Sequence, residues 1–225
     1  MKTQLTTFGI LLTLVLAASG AWGQGQGMPP PSGFLADYTR LQPATDREGS
    51  WIYMKKGDFR SYTKVYIAPI EVWVSPSSQY KGIQPDVLKT VTDNFRNALT
   101  KALEPDYHVV DQPGPGVLRL RGAVTGVSPV KPPLTPVDIL PIKALFNVAR
   151  SASGHEPRVV EISAEFEIAD PDNQVVLAGV ATRKGDKTLD QGAQITPEQM
   201  AAISDYWAKG VRLRLDQLRG VAPRP

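Results

Sequence analysis

"RVVEISAEFEIADPDNQVVLAGVATR", Arg158 to Arg183, reads as two strands and the turn that joins them. From Arg158 to Ile168, Val160, Ile162, Ala164, Phe166 and Ile168 alternate with Glu161, Ser163, Glu165 and Glu167. That is the period-two pattern of a strand with one buried face. Asp170 to Gln174 fits a type I turn with Pro171 at its second position, and Val175 to Thr182 is the return strand. A hairpin with one apolar face needs another layer over that face.

Two segments can supply the layer. Pro85 suits the first position of a helix, and behind it Leu88, Val91, Phe95, Ala98, Leu99 and Ala102 form one apolar stripe, with Asp86, Lys89, Asp93, Arg96 and Lys101 opposite. Further on, Thr196-Pro197-Glu198-Gln199 makes a capping box, and the helix behind it offers Ile203, Trp207, Val211, Leu215 and Leu218. More strands precede the hairpin. Lys64 to Val74 is rich in β-branched and aromatic residues but is interrupted by Pro69, which cannot donate to a ladder. Trp51 to Lys55 and Tyr107 to Val110 read as short strands. Gly116 to Val127 sets Leu118, Leu120 and Val124 against Arg119, Arg121 and Thr125. The expected fold is therefore α+β, a mostly antiparallel twisted sheet of about five strands with two long helices packed on one face.

The chain of 225 residues is long enough for one domain with a hydrophobic core, and 42% hydrophobic with 21% charged residues is an ordinary balance for a folded protein. Twenty-five basic against 22 acidic residues give a net charge of +3, and no basic run exceeds Lys55-Lys56, which argues against nucleic acid as a partner. There is no cysteine, hence no disulfide, no thiolate metal site and no lipid-bearing cysteine.

The N-terminus reads as an export signal. Met1-Lys2 precedes the apolar run Phe8 to Ala18, which is too short to span a bilayer core of about 20 residues. Small residues at Ala21 and Gly23 predict cleavage before Gln24, with Ala18-Ser19-Gly20 as a second site and an uncleaved anchor as the alternative. The predicted organisation is a signal at 1–23, a Gly/Pro tether at 24–31, one domain at 32–220 and a disordered tail at 221–225. Just after the tether, "SGFLADYTRL" (Ser32 to Leu41) spaces Phe34, Leu35, Tyr38 and Leu41 like an apolar helical stripe. It reads as either a docking helix or a segment laid over the domain's own core.

Few residues suggest chemistry. Glu161, Glu165 and Glu167 lie on one strand face, where residues two apart, such as Glu165 and Glu167, stand about 7 Å from each other, a spacing compatible with paired carboxylates. Arg119 and Arg121 on a neighbouring strand offer the plainer account, an ordinary row of cross-strand charge pairs on a solvated face. "DPDN" lacks the glycine and distant glutamate of a calcium loop, and His108 and His155 have no neighbours at metal-ligand spacing. No phosphate loop, nucleophile elbow or dinucleotide fingerprint occurs, so no catalytic residue, cofactor or metal is expected. The stretch 129–157 is long for a loop and carries Val137, Ile139, Leu140, Ile142, Leu145, Phe146 and Val148. It either folds onto the core or presents an apolar surface to a partner.

Taken together, "SGFLADYTRL" after an export signal, "WIYMKKGDFRSYTKVYIAPIEVW", a helix ending "NALTKAL" and the acidic strand before "VVLAGVATR" resemble a bacterial envelope family, the domain-of-unknown-function family 3313. The resemblance runs from Ser32 to about Leu218. Its members are mostly lipoproteins, and it assigns no catalytic residues to carry over. The missing cysteine departs from that pattern and favours a soluble periplasmic or secreted form. The reading that follows is an exported envelope protein, a non-enzymatic interaction or assembly module. Its partner would be an envelope protein or a second copy, meeting it at Ile139, Leu140, Leu145 and Phe146; membrane contact stays open. The alternative is a periplasmic small-ligand-binding protein using Arg119, Arg121, Glu161 and Glu165, and a hydrolase built on Glu161 or Glu165 comes last.

Overall fold

Alternating residues make the sheet, and stripes of period 3.6 make the layer that covers it. The computed structural model describes residues 27–73, 85–104, 106–130, 158–189 and 197–222. Its elements are β1 (Gln42–Pro43), β2 (Ser50–Met54), β3 (Lys64–Ile67), β4 (Glu71–Val72), α1 (Pro85–Leu103), β5 (His108–Val110), β6 (Val117–Val130), β7 (Arg158–Ala169), β8 (Val175–Leu189) and α2 (Pro197–Arg219). The eight strands form one sheet in the order β1-β2-β8-β7-β6-β3-β5, with β4 also against β6.

The α+β class stands, while the sheet differs from expectation in two ways. It has eight strands rather than about five, and it is mixed rather than mostly antiparallel. The β7–β8 hairpin, β6–β7, β2–β8 and β1–β2 are antiparallel. β3 is parallel to both β5 and β6, and β4 is parallel to β6. The cause is α1: a helix between two strands of one sheet carries the chain back to its starting end, so β5 enters in the direction of β3. Pro69 interrupts pairing as its missing N–H requires, and it splits the expected strand from Lys64 into β3 and β4.

The hairpin turns where Pro171 and Asn173 allow. The Asn173 amide bonds the Asp170 carbonyl, the Gln174 amide bonds Asp170 Oδ1, and Asn173 takes the left-handed conformation at φ 62°. Register then aligns Leu120, Ile168 and Leu177 across three strands, all fully buried. On this face α1 contributes Val91, Phe95, Leu99 and Leu103, and α2 contributes Ile203, Trp207, Val211, Leu215 and Leu218. The rings of Phe95 and Trp207 meet edge to face at 5.7 Å. Opposite Phe166, residue 179 is glycine for a steric reason: a Cβ there would stand 2.5 Å from the Phe166 ring. One polar fastening ties α2 to the end of α1. Tyr107, 2% exposed, donates to Asp216 Oδ1 at 2.8 Å, and Arg212 bridges Asp216, Asp106 and the Ala102 carbonyl.

The other face is covered as well. Residues 27–41 form no helix; they run through bends and a turn. The stripe spacing nevertheless marked the residues that bury, because Phe34, Leu35 and Leu41 join Trp51, Ala123, Ala178 and Val180 in a second core cluster. Outside the described residues lie the signal at 1–23, the first part of the tether, Ile139, Leu140, Leu145, Phe146, His155, the Thr196 cap and the last three residues.

Candidate functional site

The charged face of β6 and β7 is where sequence reading placed both the carboxylate row and the small-ligand alternative. Pairing puts Arg121 opposite Glu167 and Ala123 opposite Glu165. β8 adds Ala178 and Val180, and β2 adds Tyr53 and Trp51. So the row is not a charged strip in water. Around Glu165 and Glu167 the neighbours are mostly small or aromatic, and the 27–41 strap lies over them. Glu165 is 2% exposed and Glu167 7%.

A buried carboxylate needs partners for its oxygens. Glu165 receives the Tyr38 hydroxyl proton on Oε2 at 2.5 Å and the Ser32 amide on Oε1 at 3.3 Å. The Tyr38 oxygen in turn accepts the amides of Gly33 and Leu35 at 3.0 and 3.2 Å. One phenol thus gathers two backbone donors of the strap and points its own proton at the sheet. Burial, then the hydrogen bond to Glu165, pushes the Tyr38 hydroxyl above its usual pKa. Gly33 sits at φ +94°, a backbone conformation that a Cβ would strain. The Trp73 indole closes the strap's other side, donating to the Ser32 carbonyl at 2.9 Å with its ring edge-on to Phe34.

Beside this latch, Arg121 bonds Glu167 at 2.8 Å and Glu71 at 3.2 Å, with its guanidinium 4.8 Å from the Phe34 ring centre. Arg119 instead reaches Asn173 in the hairpin turn, and Glu161 pairs with Lys184 at 3.8 Å. The four residues of the ligand alternative therefore share a sheet face but not one another's company. Arg121 and Glu165 are held under the strap, and Arg119 and Glu161 lie toward opposite ends of β6–β7. Sequence reading missed Tyr38 as the hub and Glu71 as the third member of the Arg121 cluster. Tyr38 carried a signal in being the one hydroxyl-bearing member of the apolar stripe. His108 is exposed, and among the described residues no group of three or more histidines, cysteines or carboxylates could hold a metal ion. Among them, too, no helix is long and apolar enough to cross a membrane.

A family described as "Protein of unknown function (DUF3313)" matches residues 30–211. The chain is 24% identical over 199 residues to the uncharacterised lipoprotein YdcL of Escherichia coli K12, covering 86% of this chain and 89% of that protein. Among solved structures, the PelC dodecamer subunit of Paraburkholderia phytofirmans aligns at 16% identity and a TM-score of 0.37, over 74% of this chain and 95% of that one. A minor lipoprotein of Acinetobacter baumannii aligns at 14% identity and a TM-score of 0.36, over 73% and 98%.

Proposed function

This chain belongs to the DUF3313 family, and from that premise we propose that it is an exported envelope protein that works by contact with a partner rather than by catalysis. One observation carries the reading: every charged group on the face that suggested chemistry has a structural partner. Glu165 is spent on the strap, Glu167 and Glu71 on Arg121, Glu161 on Lys184 and Arg119 on Asn173. A carboxylate poised for acid–base work needs access to substrate, and Glu165 has its approach filled by Tyr38 and Ser32. The similarity to a lipoprotein supports the envelope as the compartment. This sequence contains no cysteine to accept a lipid, and the reading takes protein contacts as its hold on the envelope.

The partner surface we propose is the apolar stretch bearing Ile139, Leu140, Leu145 and Phe146. A photo-crosslinking residue at Phe146, with a control at the exposed turn residue Asp172, tests it in living cells. A discrete adduct to one envelope protein, or to a second copy, from position 146 alone is the expected result. No adduct at 146, or the same adducts from both positions, would remove that surface.

A further inference from the structure

Where the chain crosses from β3 to β5 it leaves a cleft of about 320 Å³, within the ~300–1,000 Å³ usual for small-ligand sites. β3 and β5 run parallel, with α1 between them in the chain. A crevice at the carboxyl ends of parallel strands joined by a helix is where such units commonly receive ligands. Local sequence opens this one. β5 stops at Val110 opposite Tyr66, so among the described residues Ile67 has a strand neighbour only toward β6, at Leu120. Pro69 then ends the pairing. Tyr66, Pro69 and Ile70 form the strand wall, while Arg96 enters from α1 and Asp111 from the end of β5. Arg96 is half-buried and pinned by one nitrogen, its Nη1 donating to the Ile67 carbonyl at 2.5 Å. Its other N–H groups keep their capacity, and among the described residues no carboxylate pairs with it. Asp93, which also borders the cleft from α1, is taken by Lys89. Asp111 is exposed, and no described cation pairs with it. Two opposite charges thus border one cleft without joining each other.

We propose that this cleft binds a short zwitterionic peptide, of dipeptide size, with an apolar side chain. Its carboxylate sits at Arg96, whose planar fork matches two carboxylate oxygens. Its ammonium group sits at Asp111, and the side chain rests on Pro69 and Ile70. A simple anion at Arg96 would face Asp93 and Asp111 as like charges, and a simple cation at Asp111 would face Arg96. A zwitterion answers both ends. The two charges of a free amino acid share one carbon, whereas a dipeptide sets them about 3.5 Å further apart, the reach of one extended residue. That span suits an arginine and an aspartate that do not touch. The site is separate from the 129–157 surface and from the face under the strap, and it can stand or fall without either.

Alanyl-leucine is the probe, titrated into the full-length mature protein, with N-acetyl-alanyl-leucine and alanyl-leucinamide as matches that each lack one charge. The readout is the ¹H–¹⁵N amide resonances of Tyr66, Ile70, Thr92, Arg96 and Asp111. The expected result is a saturable shift centred on these amides, with affinity at least tenfold weaker for either blocked peptide. Arg96→Gln and Asp111→Asn should each weaken alanyl-leucine by at least the same factor. Circular dichroism and melting check both variants, and the exposed Asp111→Asn carries the test if loss of the Ile67 bond unfolds Arg96→Gln. Equal binding of either blocked peptide, or full affinity in Asp111→Asn, would overturn the zwitterion. No saturable shift at millimolar alanyl-leucine in the folded wild type would end the proposal.

Discussion

Glu165 at 2% exposure takes its hydrogen bonds from a tyrosine 127 residues away and from the amide of Ser32. Hydrogen bonds to a charged group contribute about 1.5–3 kcal/mol. Tyr38→Phe should therefore lower unfolding free energy by about that amount in urea titration at pH 7, with the m-value unchanged. Glu165→Gln should also destabilise, because its amide oxygen can accept from the phenol or from the Ser32 amide but its NH2 then faces the other donor. A second tyrosine sets the alkaline limit. Burial, reinforced by the hydrogen bond to Asp216 against the opposing influence of Arg219, pushes the Tyr107 hydroxyl up to about 12. Its unfolded value is about 10. The folded state thus keeps a proton that the unfolded chain gives up. The contribution is whole below pH 10 and drains away as pH climbs toward 12, by about 3 kcal/mol in all. Stability measured from pH 9 to 12 should fall steeply in the wild type and less steeply in Tyr107→Phe. The ring-bearing positions of both tyrosines were legible as apolar-stripe and strand residues. Their hydroxyl partners were not, since a hydrogen bond across the fold leaves no periodic trace.

At the scale of elements, close packing at Gly179 gives a sharp expectation. A methyl group there meets the Phe166 ring at 2.5 Å and Ile52 at 3.0 Å, in the middle of β2–β8–β7. Gly179→Ala should cost about 1–3 kcal/mol of stability by overpacking, read as a lower Tm at unchanged secondary-structure content. Gly114 has nothing within 4 Å of its virtual Cβ, so Gly114→Ala serves as the near-neutral control. The strap makes another test. Removing residues up to Leu41 should uncover Ala123, Ala178 and Val180 and raise dye binding to exposed apolar surface, while amides of α1 and α2 keep their exchange protection. The hairpin, β6 and both helices could be read from sequence because alternation and 3.6-residue stripes are local. The two-residue strands β1 and β4 are too short to show any period. The parallel pairing of β3 with β5 and β6 is set by where α1 returns the chain.

For the whole molecule, export is the first consequence to check. N-terminal sequencing of the protein recovered from the envelope fraction should begin at Gln24; a start at Met1 would mean that the apolar run is retained as an anchor. The sequence by itself determined the family, the α+β class, the alternating strands, the two amphipathic helices and the residues of the 27–41 segment that bury. The strands, the helices and the burying residues follow from patterns spanning about 20 neighbouring residues or fewer, where the side-chain period and the backbone geometry are the same fact. Only the tertiary structure decided that Glu165 and Glu167 are covered rather than solvated, and that Arg121 gathers Glu71 and Glu167. A strand's polar face looks alike in sequence whether water or another segment lies over it. The cover comes from residues 27–41, far along the chain, and the energy that seats it there is the burial of Phe34, Leu35 and Leu41 together with the satisfaction of one carboxylate.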